Sequence, residues 1–320
     1  MPFTYKTLQS AAVAGLLVLL TACASAPKPT LKEVGIYSAG QGSGFLPYAQ
    51  GVAAYLSANG LKAQALESRG SIENLQKLEV ETNRLGTVFL GTAFEAVNGS
   101  APWTNGKKHT SLRALFPMYE TSFQIVALRS SGLTSLGQLA GKRVGVGPAG
   151  GPAESFFKGL AEATGLQIQT VAGTPVALAA DLQAGRIDAL WQGASLPIPV
   201  IKQIADTTEA VVFGLSDLEV AAMLKRFPFL SQATVAPNMY RGQTGPIKSV
   251  AGWNFVMAHK DLPNADAYFI TKTILSAANP KAIAVSAEPT RTANAPNNAV
   301  VPFHPGALQF YREKGLRDLK

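Results

Sequence analysis

Residues 33–56 have the sequence EVGIYSAGQGSGFLPYAQGVAAYL, which predicts a strand, a glycine-rich turn and a helix in that order. The apolar run at residues 33–39 predicts the strand, and the glycines at residues 40–44 predict the turn. Beyond the turn, apolar residues recur at the spacing of one helix face. These residues are Leu46, Ala49, Val52, Ala53 and Leu56. A strand that leads into a helix in this way predicts the first unit of an α/β protein.

The same pattern repeats along the next forty residues. Residues 61–68 are predicted to form a second strand, a helix is predicted to begin at Ser71, and residues 86–92 form a third, buried strand. Ser71 suits the start of a helix because a serine oxygen accepts hydrogen bonds from the first amide groups. This β-α-β-α-β order predicts a mostly parallel sheet that is covered by helices.

A second α/β unit follows before the chain returns to the first one. Strands alternate with helices again between residues 143 and 191, and crossing segments are predicted near residues 122–129 and 237–249. The sequence therefore predicts two lobes with two connections between them. Lobe 1 comprises residues 33–126 and 245–320, and lobe 2 comprises residues 127–244.

The composition excludes several classes of protein. The chain has 320 residues, a formal net charge of +8 and one cysteine. One cysteine excludes an internal disulfide framework and a cysteine-based zinc or iron–sulfur site. The basic residues form no dense run, which argues against nucleic acid as a partner. A modest positive charge instead favours anionic small ligands or an acidic surface.

Residues 1–22 are predicted to be a lipoprotein signal peptide. The ten apolar residues at 11–20 are too few to span a bilayer, which takes about 20, but they suit the apolar part of a signal peptide. The sequence LTAC at residues 20–23 resembles the bacterial lipobox, in which the cysteine is acylated. We therefore predict lipidation of Cys23, a tether over residues 23–32, and an extracytoplasmic protein anchored to a bacterial membrane. Which membrane of the cell carries the anchor is left open.

Two motifs that are typical of enzymes lack their usual partners. Residues 145–150 match G-x-G-x-x-G, but no acidic residue ends the following strand at residues 169–173, so a dinucleotide is not expected. Residues 155–158 match S-x-x-K without the S-D-N and K-T-G motifs that accompany it. The three histidines lie far apart in the sequence, which argues against a metal site. We expect neither an enzyme nor a cofactor.

Four stretches of the sequence carry a family resemblance. They are GSIENL at 70–75, LGQLAGKRVGVGPAGG at 136–151, GRIDAL at 185–190 and HPGALQFYREKG at 304–315. In this order and spacing they resemble the TAXI family of solute receptors, the binding proteins of one branch of the TRAP transporters. The resemblance covers nearly all of residues 33–316.

The resemblance implies a fold and a partner. The implied fold is α/β, a two-lobed periplasmic-binding-protein fold of the type II kind, in which each lobe has a mostly parallel sheet and two crossing strands join the lobes. A small ligand binds between the lobes, which close on it by a hinge motion. The implied partner is a TRAP-type membrane permease.

The predicted ligand site departs from the family pattern in three places. The family's first turn, T-G-x-Y-Y-P, is GSGFLP at residues 42–47, so both tyrosine hydroxyls are missing. The family's third strand often ends in a Gln followed by an Asp, and here the sequence at this place is LGTA, residues 90–93. The family's G-S-G-T turn corresponds to GGPA at residues 150–153. Each lost side-chain hydrogen bond is worth about 1 kcal/mol. We therefore expect a more apolar acid, aromatic or branched, rather than a glutamate-like ligand.

Candidate ligand contacts come from both lobes. They are Ser43, Phe45, Arg69, Ser71, Gly91 and Thr92 in lobe 1, and Gly150, Gly151, Ala153, Trp191 and Gln192 in lobe 2. Arg69 stands beside Ser71, where an anionic group is expected, with a solvated surface arginine as the alternative. Trp191 either stacks on a ligand ring or belongs to the core. The amide groups at residues 150–153 suit a carboxylate because they begin a helix.

Two functions remain open from the sequence. The first is a lipid-anchored receptor that delivers a small organic anion to a TRAP-type permease. The second is a lipoprotein of the same fold that senses a ligand for a signalling partner, or binds another envelope protein, without transport.

Overall fold

The computed structural model describes residue 1, residues 28–41 and residues 43–320. The predicted lipidation site at Cys23 and almost all of the predicted signal peptide lie outside the described residues. Within the described part of the chain, no helix is both long and apolar enough to cross a membrane.

Strands and helices alternate along the described chain, as the sequence predicts. Lobe 1 begins with β1 Glu33–Tyr37, α1 Phe45–Ala58, β2 Lys62–Leu66, α2 Ser71–Leu78, β3 Arg84–Phe89, α3 Leu90–Asn98 and β4 Leu112–Leu128. Lobe 2 contains β5 Arg143–Gly145, α4 Pro152–Thr164, β6 Gln169–Val171, α5 Pro175–Gln183, β7 Ala189–Ala194, α6 Pro199–Thr207, β8 Ala210–Phe213, α7 Asp217–Arg226 and β9 Leu230–Val235. The chain then returns through β10 Ile247–His259, α8 Asn264–Leu275 and α9 Pro305–Glu313.

The described strands form one sheet with the order β2-β1-β3-β10-β4-β7-β5-β6, and β8 and β9 pair with β4 and β10. In lobe 1, β1 is parallel to both β2 and β3. In lobe 2, β5 is parallel to β6 and β7. The two long strands β4 and β10 are antiparallel to each other and lie between these parallel sets. The sequence prediction of two mostly parallel units joined by two crossing strands is consistent with this order.

The strand β4 is longer than the sequence predicts. The structure has one strand of 17 residues, where the sequence pattern predicts a strand only near residues 122–129. Pro117 and the polar residues that follow it interrupt the apolar alternation. Register shifts in the pairing with β10 flank the Pro117 position, which is how a sheet accommodates a proline without an N–H donor.

The buried side chains of the described residues form three clusters. The first fills lobe 1 and includes Ile36 and Phe255, and the second and third cover the two faces of the lobe 2 strands. Within β4 the change occurs between Tyr119, which packs in the first cluster, and Phe123, which packs in the second. Val126 packs in the third because neighbouring residues of a strand point to opposite faces. The lobe boundaries at residues 126 and 245 stay a prediction.

The motif HPGA at residues 304–307 begins α9 and packs against α8. The buried His304 caps α9, since its Nδ1 accepts the N–H of Gly306 at 3.2 Å. Gly306 packs against the first turn of α8, and a Cβ at this position would collide with the carbonyl oxygen of Asn264 and lie 2.8 Å from the backbone nitrogen of Tyr268. The helices α8 and α9 can approach this closely because Gly306, at their point of contact, has no side chain.

We expect Gly306→Ala to lower the free energy of unfolding by about 2 kcal/mol or more, because overpacking against backbone atoms cannot relax by a rotamer change. Gly245→Ala is the matched control, since a Cβ there meets no atom within 4 Å. Urea unfolding of both variants measures the difference. Equal stability of the two variants would contradict the close packing of α8 on α9.

A second prediction concerns His304. Burial lowers the pKa of this imidazole to about 4 from its ordinary value of 6.5. Because the folded state then binds the proton less well than the unfolded state, stability is full above pH 6.5 and falls as the pH drops towards 4. We expect a loss on the order of 2 to 3 kcal/mol across this range. Asn is also a good helix cap, so the stability of His304→Asn should depend less on pH over the same range. An unchanged pH dependence in this variant would refute the role of His304.

Candidate ligand site between the lobes

Several contacts join the lobes near the carboxyl ends of the lobe 1 strands. Parallel strands place their carboxyl ends at one edge of a sheet, so the residues that follow β1, β2 and β3 lie together. Phe45, at the start of α1, packs against both the first and the second buried cluster. The hydroxyl of Ser155 in α4 donates a hydrogen bond of 3.1 Å to Oε1 of Glu95 in α3. The start of α4 is therefore the part of lobe 2 that faces lobe 1.

A group of phenylalanines fills the space between α3 and α4, and we call it the aromatic bridge. It consists of Phe89, Phe94, Phe123, Phe156, Phe227 and Phe229. The ring centre of Phe89, from lobe 1, lies 5.3 Å from that of Phe156 and 6.1 Å from that of Phe229, both from lobe 2. These distances are typical of attractive aromatic pairs. The interlobe contact is thus largely apolar.

Gly91 and Ser71 support the aromatic bridge from lobe 1. A Cβ at Gly91 would lie 2.5 Å from the ring of Phe156 and 2.6 Å from the rings of Phe229 and Phe89, so this position must be glycine for the rings to meet. The Ser71 hydroxyl accepts the backbone N–H of Phe89 at 3.1 Å. Ser71 therefore holds the end of β3 in place.

Thr92 has a buried hydroxyl with unused hydrogen-bonding capacity. Only 1% of the residue is exposed, and its Oγ1 has no hydrogen-bond partner among the described residues. On the neighbouring strand, Asn254 pairs with Phe89 and has an unpartnered Oδ1, although its Nδ2 donates to Thr121 Oγ1 at 2.9 Å. Buried polar groups are nearly always hydrogen-bonded, so each of these atoms has capacity for a bond to a water molecule, an ion or a ligand.

The turn before α4 is more occupied than the sequence predicts. The N–H of Gly150 donates to Glu154 Oε2 at 2.6 Å, and the N–H of Gly151 donates to the carbonyl of Pro148 at 2.9 Å. Within the described residues, the N–H groups of Ala153 and Glu154 have no acceptor. The donors that remain for an anion therefore lie one turn further along, at the true start of the helix.

The first turn contributes Ser43 and Phe45, and the structure adds Tyr119. Ser43 Oγ accepts the N–H of Phe45 at 3.1 Å, which fixes the start of α1. The Tyr119 ring centre lies 6.4 Å from that of Phe45, and a Cβ at Gly44 would be 2.8 Å from the Tyr119 hydroxyl. Burial raises the pKa of Tyr119 well above its ordinary value, so this hydroxyl stays protonated. A tyrosine from β4 thus places a hydroxyl beside the turn in which the family's tyrosine is replaced by Phe45.

Arg69 is a solvent-exposed residue that pairs with Glu73. Its side chain is 87% exposed, and its Nε lies 3.0 Å from Glu73 Oε2. The backbone N–H of Arg69, with Lys77 and the Arg69 side chain, lowers the pKa of Glu73 to about 2. The surface alternative for Arg69 agrees with this geometry.

Trp191 and Gln192 lie on opposite faces of β7. Trp191 is fully buried and stacks on Phe123 at 5.2 Å, and its Nε1–H donates to the carbonyl of Ala153 at 3.1 Å. It belongs to the core and supports the start of α4. Gln192 points to the other face, where its Nε2 donates to the carbonyl of Gly193 at 3.1 Å while its Oε1 is buried without a partner among the described residues.

Glu95 is a residue that sequence reasoning missed. Its carboxylate accepts hydrogen bonds from Trp103 Nε1–H at 3.0 Å and from Ser155. Burial raises the pKa of Glu95. A solvent-facing position in α3 is the default for a lone glutamate, and no local pattern indicates that this helix packs against lobe 2. Within the described residues, no group of His, Cys, Asp and Glu side chains could hold a metal ion.

We expect Gly91→Ala to separate the rings of the aromatic bridge. Three ring atoms within 2.6 Å of the new methyl must move, at a cost of about 1 to 3 kcal/mol. The variant should melt at a lower temperature than the wild type and show a larger radius of gyration in solution scattering. Gly137→Ala in lobe 2 is the control, since its methyl meets nothing within 4 Å. A Gly91→Ala protein as stable and compact as this control would contradict the bridge.

Solved structures with the same fold cover nearly the whole chain. The periplasmic binding protein BugD is 12% identical, with a TM-score of 0.56, and the match covers 90% of this chain and 95% of that one. MatC from Rhodopseudomonas palustris with bound malate is 13% identical, with a TM-score of 0.56 and coverages of 90% and 99%. An R. palustris protein with adipate is 14% identical, with a TM-score of 0.56 and coverages of 90% and 94%. These likenesses confirm the predicted two-lobed α/β fold of periplasmic binding proteins.

The family comparison is broader than the resemblance seen in the sequence. The TAXI branch itself is not distinguished by it and stays a prediction. The model of the NMT1-like family matches residues 36–315, and the chain belongs to this family.

Proposed function

We propose that this chain is an extracytoplasmic solute-binding protein that holds a small organic acid between its two lobes. The observation that carries the proposal is the unused hydrogen-bonding capacity where the lobes meet. The Thr92 hydroxyl in lobe 1 and the first free amide groups of α4 in lobe 2 both lack partners among the described residues. A ligand between them satisfies groups that folding leaves unpaired.

The chemistry of these groups favours a carboxylate with an apolar body. Amide groups at a helix start and hydroxyl groups bind an anion through dipoles, without an opposite full charge. Arg69 does not contribute, because it faces solvent and pairs with Glu73. The aromatic bridge and Phe45 offer contact to a branched or aromatic ligand. A dicarboxylate such as glutamate would bring a second charge with no cation to meet it at these residues.

The relatives of known structure support solute binding in general terms. MatC is described with malate and the R. palustris relative with adipate, both of them small organic acids. At 13% and 14% identity they support the fold of this chain, and the ligand is argued here from its own residues. A TRAP-type permease as the receiving partner, and a lipid anchor at Cys23, complete the proposal and rest on the sequence resemblance.

A second candidate function is a receptor-fold lipoprotein that senses a ligand or binds an envelope protein without transport. The aromatic bridge favours it, because Phe89 and Phe156 already pack against each other where a ligand would bind in the first candidate. When a protein's own side chains hold its two lobes together, the closed arrangement of the lobes is stable without a ligand.

Thr92→Val separates ligand binding from stability. Because Oγ1 has no partner within the described structure, replacing the hydroxyl by a methyl should leave the unfolding free energy of the free protein unchanged or raise it by about 1 kcal/mol. The same change should weaken ligand binding about fivefold, by the loss of one hydrogen bond. Arg69→Ala is the matched control and should bind the ligand as the wild type does.

The ligand is found first by a thermal-shift screen of the purified protein against monocarboxylic, dicarboxylic, aromatic and amino acids. A ligand at 100 times its dissociation constant stabilises the fold by about 2.7 kcal/mol, which a melting curve resolves. Titration calorimetry of the two variants with the best hit follows. Preference for glutamate, or loss of binding in Arg69→Ala with none in Thr92→Val, would overturn the proposed site. If no compound in the screen raises the melting temperature, the result favours the second candidate function.

A further inference from the structure

The segment before β1 is fixed to lobe 1 by a single buried carboxylate. Asp266, in the first turn of α8, is fully buried. Its Oδ1 accepts the N–H of Thr30 at 2.6 Å and that of Leu31 at 3.0 Å, and its Oδ2 accepts the Thr30 hydroxyl at 2.5 Å. The chain that leads to residue 23 therefore leaves the folded body at a defined place, beside the start of α8.

This place lies on one edge of the lobe 1 sheet. The register puts Glu33 beside Lys62, Gly35 beside Arg84 and Ala258 beside Arg113, so β1, β2, β3 and β4 all begin there and β10 ends there. The loop before β4 is fixed at the same edge, since the N–H groups of residues 110 and 111 donate to the Glu79 carboxylate. The aromatic bridge lies at the opposite end of these strands, about 20 Å away at 3.3 Å per residue.

We call this edge the basic edge because of its charge. Its basic residues are Lys28, Lys32, Lys62, Arg84, Lys107, Lys108, Arg113 and Lys260, and its acidic residues are Glu33, Glu79, Glu81, Asp261 and the buried Asp266. Four of the lysines are exposed and have no ion-pair partner among the described residues. They are Lys28, Lys32, Lys107 and Lys108.

The corresponding edge of lobe 2 is different, because its arginines lie in ion pairs. Arg143 lies 2.9 Å from Asp188, and Arg186 lies 2.6 Å from Asp181. Arg129 lies 3.5 Å from Glu209. The basic edge of lobe 1 thus combines four exposed lysines without an ion-pair partner among the described residues with the exit of the N-terminal chain. At the lobe 2 edge only Lys142, among the described residues next to the strand starts, is exposed without such a partner.

We propose that the basic edge is a docking surface for an anionic membrane, which holds the interlobe site away from the lipid. The occupant follows from the charge and from the direction of the chain. The residues from Cys23 to Thr30 span at most about 25 Å, so an anchor at Cys23 keeps this edge next to the headgroups. Each lysine near an anionic surface strengthens the contact about fivefold. The proposal is independent of which solute the protein binds.

Lysine footprinting of the full-length protein tests the proposal. The protein is mixed with vesicles of phosphatidylcholine, with or without phosphatidylglycerol, and the acetylation rate of each lysine is read by mass spectrometry. On the anionic vesicles we expect Lys107, Lys108 and Lys32 to react at least about fivefold more slowly than on neutral vesicles. Lys142 and Lys225 in lobe 2 should react at the same rate on both. High salt should remove the protection, because it screens exposed charges.

A charge-reversal pair separates docking from mere tethering. Lys107→Glu with Lys108→Glu should abolish the protection of Lys32 and Lys62, and the matched change in lobe 2, Lys202→Glu with Lys225→Glu, should leave it intact. Protection spread evenly over both lobes, protection of lobe 2 alone, or equal protection on neutral vesicles would each refute the proposal. The readout does not depend on acylation, since an unacylated chain still reports whether its basic edge binds the anionic lipid.

Discussion

The antiparallel pairing of β4 with β10 is the constraint on which the rest of the structure depends. Both strands extend through the two lobes in opposite directions, so each contributes to more than one buried cluster. Because successive residues of a strand face opposite sides, a one-residue slip would exchange Phe123 with Gln124 and turn the core of lobe 2 outward. The register of this pair therefore fixes which face of lobe 2 meets lobe 1, and with it the start of α4 beside α3.

The contact between the lobes has an apolar part and a polar part. The aromatic bridge supplies non-directional attraction, and its rings can meet only because Gly91 has no side chain. The bond between Glu95 and Ser155 supplies direction, because it forms only when α3 and α4 are in register. The bridge lies beside Thr92, whose hydroxyl is left unpaired within the described structure. Burying a hydroxyl without a partner costs stability, and the ligand that we propose would offset this cost by accepting or donating the missing hydrogen bond.

The sequence predicts the order of strands and helices well, because the apolar periodicity and the glycine turns are local signals. It predicts the site less well, since the site depends on which residues face each other across the lobes. Ser71 and Gly91 are predicted as ligand contacts, and in the structure Ser71 bonds the end of β3 while Gly91 leaves room for the rings. Tyr119 lies beside the candidate site because β4 extends further than the sequence predicts. Glu95 lies there because α3 packs on α4. Neither contact leaves a pattern within one segment of the chain.

The same long-range packing explains why the charge of this protein is a poor guide to its ligand. A net charge of +8 suggests a cationic site for an anion, but Arg69 faces solvent. Four lysines that have no ion-pair partner in the described part of the chain lie at the edge far from the interlobe contact. Between the lobes, the described residues offer amide dipoles, hydroxyls, phenylalanine rings and the Glu95 carboxylate, which is already hydrogen-bonded by Trp103 and Ser155. The site we propose there would select a ligand by shape and by one anionic group rather than by total charge. In the docking that we propose, the positive charge acts on an anionic membrane instead, through a long-range field rather than a short directional bond.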